Sequence, residues 1–407
     1  EWASMTRAAF IAGLKWVLIE VIPPPDVPVS SPKAAENIFA GLHASYAGFP
    51  GTGWKSQFFQ GKIPVSFSFE IVSNGGETHF YIRCQEDQRA IVESTIFAQY
   101  PEAEIRMVPD YVDDLPADLD LSQYDLSGAE LEFTKEQAYP IKTYIEFEEA
   151  GGKDEYARID PLAPLMETMS ALRPGERLWL QYVIRATGGD WSKDPKSVKL
   201  VEKMKGKKEE KTKPPLDFMF APIDWLLAGE KKEEKKEEKN EFNLQKLTAS
   251  ERKVLESIEF KLAKLAFKSS IRLVYIAPKD AFDGSRISGV TSMFKQLYYT
   301  NMNSFKPATT RDKGVLKWMF PSDVGFFASE RAAKKKRTVF NAYRGRLFSH
   351  EDFNQHKAEK LCILTTEELA TLWHLPGLNV KAPLMPRVQA KKGQPPAILP
   401  TRPDHHA

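Results

Sequence analysis

Cysteine is nearly absent from this 407-residue chain, with only Cys84 and Cys362 present. Two thiols so far apart give neither a disulfide framework nor metal-ligand spacing, so both read as reduced residues in a cytosolic setting. Histidine is scarce too: seven residues lie scattered, and His405 and His406 sit in a polar tail. No HExxH pair, nucleophile elbow or Cys/His cluster occurs. Net charge is only +2, so the total does not mark a nucleic-acid binder. Long apolar runs are missing as well. The stretch AAFIAGLKWVLIEVI at 8–22 carries Lys15 and Glu20, which makes it too short and too charged to span a bilayer alone. It reads as a short helix running into a first strand. The first residue is Glu, so the chain is expected to come from a longer product, with any membrane anchor upstream of residue 1.

A working phosphate loop is also missing, although GFPGTGWKS at 48–56 imitates one. Gly48, Gly53, Lys55 and Ser56 invite the comparison, but Trp54 stands between Gly53 and Lys55. A P-loop curls successive backbone N–H groups around phosphate, and its Lys must follow the glycine directly. It must also follow a buried strand and open a helix. Here a helical pattern precedes and a strand-like pattern follows, so the stretch reads as a Gly-rich connection.

What is present supports well-formed cores: 42% hydrophobic residues, 11% aromatic, and length for two or three domains. Residues 1–112 follow a β-α-β-β-α-β order. WVLIEVIPP is strand-like and stopped by prolines. SPKAAENIFAGLHASYA opens with Ser31 and Pro32 as N-cap and first helical residue, and sets Ile38, Phe39 and Leu42 at helical spacing. VSFSFEIVS alternates, with Val65, Phe67, Phe69 and Ile71 on one face, and Asn74-Gly75-Gly76 signals a hairpin into THFYIRCQ. EDQRAIVESTIFAQYP predicts a helix with Ile91, Ile96 and Phe97 inward, and AEIRMVPDY closes with a short strand. This is the split βαβ, or ferredoxin-like, order.

Residues 127–305 repeat it loosely. YPIKTYIEFE (139–148) is expected as a strand, followed by the helix DPLAPLMETMSALRPGE and the strand RLWLQYVIRAT. An insertion at about 190–243 follows. LTASERKVLESIEFKLAKLAF then predicts a helix capped from Thr248, before the strand SIRLVYIAP and the helix DGSRISGVTSMFKQLYY. The fold class is therefore α+β: tandem ferredoxin-like units with a charged insertion and, over 306–407, a basic helical segment and Pro-rich tail.

Two stretches carry the candidate contacts. In the insertion, Lys/Glu tracts flank an apolar island that includes Phe218, Phe220, Trp225 and Leu226. It either folds back on its own domain or docks a partner or membrane surface. Between Phe305 and Arg346 there are eleven Lys/Arg against three Asp/Glu, net +8. The helix expected there bears Arg331, Lys334, Lys335, Lys336, Arg337, Arg344 and Arg346. Its charges suit either a solvated face or contact with nucleic acid or anionic lipid. Phe340 and Tyr343 fit an apolar helix face as well as a stacking platform. Phe80 and Tyr81 lie on opposite faces of their strand, without the RNP pattern of an RNA-binding sheet.

The stretches AAENIFAGLHASY, VSFSFEIVSNGGETHFYIRC, VESTIFAQYPEAEI, DPLAPLMETMSALRPGERLWLQYVIR, SERKVLESIEFKLAKLAFKSSIRLVYIA and ILTTEELATLWHLPG…RVQAKKGQPP resemble an uncharacterised domain of candidate-phyla bacteria. In that family the domain follows an N-terminal membrane segment and precedes a motor of the type IV secretion and conjugative DNA-transfer ATPase class. The resemblance carries no catalytic residue. The motor, which in longer relatives follows the segment resembling KKGQPP, is expected to lie outside this sequence, either encoded separately or cut from a longer product. The resemblance implies a non-catalytic accessory platform at the cytoplasmic face of the bacterial inner membrane, without cofactor or metal. Its expected partners are a secretion-type ATPase in cis or trans, DNA, an anionic membrane surface, or further copies of itself. A non-specific nucleic-acid-binding module acting through 331–346 is the alternative.

Overall fold

The computed structural model describes residues 2–24, 27, 31–46, 62–116, 118–150, 159–205, 248–298, 301–307, 328–348, 361–377, 380 and 385–388. The GFPGTGWKS stretch and the apolar island with Phe218, Phe220, Trp225 and Leu226 lie outside these residues. Helix α1 (Trp2–Gly13) leads into β1 (Trp16–Ile22), then α2 (Ser31–His43), β2 (Phe67–Asn74) and β3 (Glu77–Gln85). Gly75 and Gly76 turn that hairpin at φ +61° and +98°, a region open to glycine at little cost. Next come α3 (Arg89–Gln99), β4 (Glu104–Val108), β5 (Tyr124–Phe133), α4 (Tyr144–Ala150), α5 (Ala163–Ser170) and β6 (Arg177–Thr187). The chain continues through α6 (Pro195–Met204), α7 (Ala249–Leu262), β7 (Ala266–Pro278), α8 (Ser285–Gln296) and β8 (Phe305–Pro307). It then forms α9 (Ala328–Arg344), β9 (Cys362–Thr365) and α10 (Thr366–Leu372).

All nine strands among the described residues join one sheet, in the order β4-β1-β3-β2-β6-β7-β5-β8, with β9 on β7. The first four run fourth-first-third-second. Counted from the far edge, β8-β5-β7-β6 repeats that order for the second set. The two sets meet where β2 pairs antiparallel with β6, from Phe67↔Ile184 to Asn74↔Arg177. The 13-residue β7 pairs with β6 along most of its length and shares its other edge between β5 and β9.

The alternation of β2 puts Phe67, Phe69 and Ile71 into the main core with α2, α3, α5 and α8. α10 is buried along its whole length, and Trp373 just beyond it meets Phe69 and Phe80 at ring-centroid distances of 4.8 and 5.9 Å. The opposite face is covered as well. Leu18, Val72, Tyr81, Trp179, Val274 and Ile276 pack there under Tyr111, Val112, Leu115, Phe340 and Tyr343. The residues after 306 thus close both faces of the sheet.

Three local expectations need correction. The strand expected at 139–148 is not formed. Thr143 donates through its N–H and its hydroxyl to Glu146 and starts α4, and Ile141, Tyr144 and Phe147 are buried at a three-residue spacing that a strand would split between faces. β5 supplies the strand instead. On α3, Val92 and Ile96 face the core while Phe97 is 43% exposed. The expected cap at Thr248 is a full capping box with Glu251. Ser31, at the start of α2, is tied instead to the Tyr100 hydroxyl and the Leu375 carbonyl.

Candidate interaction surface

Helix α9 carries the densest positive charge among the described residues, and the sheet below it decides which of those charges face outward. Phe340 and Tyr343, three residues apart, share one helix face and are buried against Trp179 and Val274. Burying a Phe of this kind contributes about 1.5–3 kcal/mol. They are therefore core residues and not a stacking platform. Phe80 and Tyr81 do point to opposite faces, and both are buried.

Beyond the end of α9, Arg346 is 7% exposed and adopts φ +48°. Its guanidinium meets Glu70 at 3.0 and 3.2 Å and Asp110 at 2.7 and 2.8 Å. Glu70, on β2, also accepts from Ser68, the Tyr111 hydroxyl and Gln181 at 2.6, 2.7 and 3.0 Å. Burial alone would raise the Glu70 carboxyl. The Arg346 charge and the hydrogen bonds outweigh that and hold it below its ordinary value. Arg344 donates to the Val112 and Leu115 carbonyls and to Asp113. Lys336 pairs with Asp125, and Arg337 with Asp118 at 3.1 Å.

The acidic stretch near 110–125 is thus the counter-charge of the basic helix. Four of the seven candidate contact residues, Lys336, Arg337, Arg344 and Arg346, are held by their own chain. Lys334 and Lys335 are exposed on the outer side of α9, and Arg331 falls in its first turns. Sequence reasoning missed Glu70 and Asp110 as partners. The signal for the rest was the opposite charge of the 113–126 and 331–346 stretches.

Reactive side-chain types also occur at one cavity and at two buried thiols. A cavity of about 290 Å³ lies beside α7 and α10, lined by Ser257, Phe260, Lys261, Lys264, Glu367 and Glu368 among others. Lys261 donates to Glu368 at 3.1 Å and to the Tyr139 carbonyl at 3.2 Å, and its ammonium lies 4.9 Å from the centre of the Phe133 ring. Burial lowers its pKa against the opposing pull of Glu368. With its donors engaged, Lys261 braces α10 and is not free to react. Cys84 and Cys362 are buried thiols, each pushed up by burial to about 12, which makes them poor nucleophiles. Among the described residues no group of three or more His, Cys, Asp or Glu is placed to hold a metal, and no helix is long and apolar enough to cross a membrane.

The fold defines an α+β protein with one antiparallel sheet covered on both faces. Residues 10–385 match the family described as a domain of unknown function, DUF8128, and the chain belongs to that family. No curated protein matches the chain.

Proposed function

We propose that this chain is a non-catalytic platform that presents surfaces to a partner. The observation that carries the reading is where its charges are spent. Glu70, Arg346, Arg272, Lys261 and Glu368 are buried and paired within the chain, which braces the molecule and commits its most distinctive polar groups to structure. On α9, Lys334 and Lys335 face outward, among other charged side chains exposed elsewhere on the surface. The partner assignment rests on the resemblance of the sequence. It is a DNA-translocating ATPase of the type IV secretion or conjugation class, met at the cytoplasmic face of the inner membrane.

The exposure of Lys334 and Lys335 favours a second reading, non-specific contact with nucleic acid through the outer side of α9. Four of the seven cationic candidates are already neutralised by carboxylates of the same chain, and that weakens it.

The two readings separate in one binding series. The 407-residue chain and its Lys334→Gln/Lys335→Gln variant are offered labelled duplex DNA, anionic vesicles and a purified secretion-type ATPase at rising salt. Retention on the ATPase by chain and variant alike, at salt that abolishes contact with DNA, is the expected result, because counterion release makes phosphate binding fall steeply with salt. Salt-sensitive DNA binding lost in the variant, without retention on the ATPase, favours the second reading. Binding to none of the three overturns both.

A further inference from the structure

Strand β4 ends the sheet. Its inner edge pairs with β1, from Leu18↔Val108 to Ile22↔Glu104, and among the described residues its outer edge pairs with no strand. An open edge is a template for another strand, and proteins commonly blunt it with charge. The charges on this edge are of a particular kind. Glu104 and Arg106 lie two residues apart on the same face of the sheet and meet each other at 2.6 Å, with both side chains about half exposed. One is negative and one positive, and they flank Ile105 symmetrically.

The apolar residues beside this edge are also unusual. Met107 is 53% exposed and Phe97 is 43% exposed. Phe97 continues the α3 stripe that begins with the paired Arg89 and Glu93, at four-residue steps. Arg89 reaches the Met107 sulfur, which places that stripe over β4. α3 runs opposite to β4. Phe97, about 12 Å along the helix from Arg89, therefore stands toward the Glu104 end of the strand.

We propose that β4 is a self-association edge, at which two copies of this chain pair antiparallel about a two-fold axis through Ile105. In that register Glu104 of each copy lies opposite Arg106 of the other, so the ion pair now made within one strand becomes two ion pairs across strands. Met107 of each copy falls opposite Ala103 of the other, a large side chain over a small one. Phe97 of each copy approaches Met107 of the other. The interface is isologous, the kind that closes at two copies, and it joins the two sheets into one. A second copy is favoured as occupant because the charge pattern is its own complement under this symmetry.

The test is the mass of the 407-residue chain by sedimentation across micromolar concentrations, with Arg106→Glu, the exchange Glu104→Arg/Arg106→Glu, and Phe97→Ser. Circular dichroism and thermal melting check that each variant is folded; Arg106 and Phe97 are exposed and Glu104 half-buried at the surface, so folding is expected to survive. The parent chain is expected as a dimer. Arg106→Glu sets carboxylates opposite Glu104 and raises the dissociation constant by about tenfold or more. The exchange restores self-complementarity and the dimer with it. Phe97→Ser weakens the dimer. A parent chain monomeric throughout, a dimer indifferent to Arg106→Glu, or an exchange that stays monomeric would each overturn the proposal.

Discussion

Arg346 is the residue on which the covered second face depends. With one guanidinium it satisfies the fully buried Glu70 carboxylate and the part-exposed Asp110 carboxylate. Removing one partner of such a pair leaves a buried charge without compensation, which typically costs about 3–5 kcal/mol. Arg346→Met is expected to lose stability of that order in urea unfolding, and Glu70→Gln added to it is expected to recover part of the loss. The same pair sets an acid limit. The Glu70 carboxyl is held below its ordinary value in the folded chain. Its contribution is therefore complete above the ordinary carboxylate range near pH 4.5 and disappears as pH falls through the lowered folded value. Unfolding curves of the parent and of Glu70→Gln should differ most near neutral pH and converge in acid; a gap that widens in acid would contradict the assignment.

At the scale of elements, α9 and β5 approach more closely than side chains normally permit. A Cβ on Gly128 would stand 2.9 Å from the Val339 side chain and 3.0 Å from the Leu273 carbonyl oxygen. Gly128→Ala is expected to lift α9, expose Trp179 and increase amide exchange across 328–344, while exchange in β1–β3 stays unchanged. That glycine also hid β5 from the sequence. YDLSGAELEF mixes acids and a glycine into a strand whose apolar residues serve two cores, Leu126 one and Leu131 and Phe133 the other. Its alternation is therefore broken. The neighbouring YPIKTYIEFE looked more like a strand and is helical because Thr143 and Glu146 cap it. The hairpin at Gly75, the helix α2 and the cap at Thr248 were legible because each is determined by residues close in sequence. The seating of α9 was not, since Glu70 and Arg346 are 276 positions apart. Phe97 looked like a core residue for a sound reason, and its exposure is what draws attention to the β4 edge.

The whole molecule is expected to unfold as one cooperative body, because β9, α10 and Trp373 are tied into its sheet and main core. β9 extends the sheet on β7, α10 packs on α2, and Trp373 reaches the aromatic centre of the main core. Trp373→Ala is expected to cost about 3–5 kcal/mol, seen as a lower melting temperature for the entire chain in a single transition. A separate low-temperature transition confined to the C-terminal residues would show instead that they form a detachable appendage.

The closure of the sheet by residues so late in the sequence has a consequence for synthesis. When Glu70 leaves the ribosome, its counter-ion is still 276 residues away. At about 5–20 residues per second, the second face of the first four strands waits roughly 15–55 s for α9 and Arg346 to complete its cover. During the later part of that interval Leu18, Val72 and Tyr81 are covered by Tyr111, Val112 and Leu115 but not yet by Phe340 and Tyr343. The nascent chain is thus most vulnerable to aggregation after its first half is made, and that is the stage at which a chaperone has something to hold.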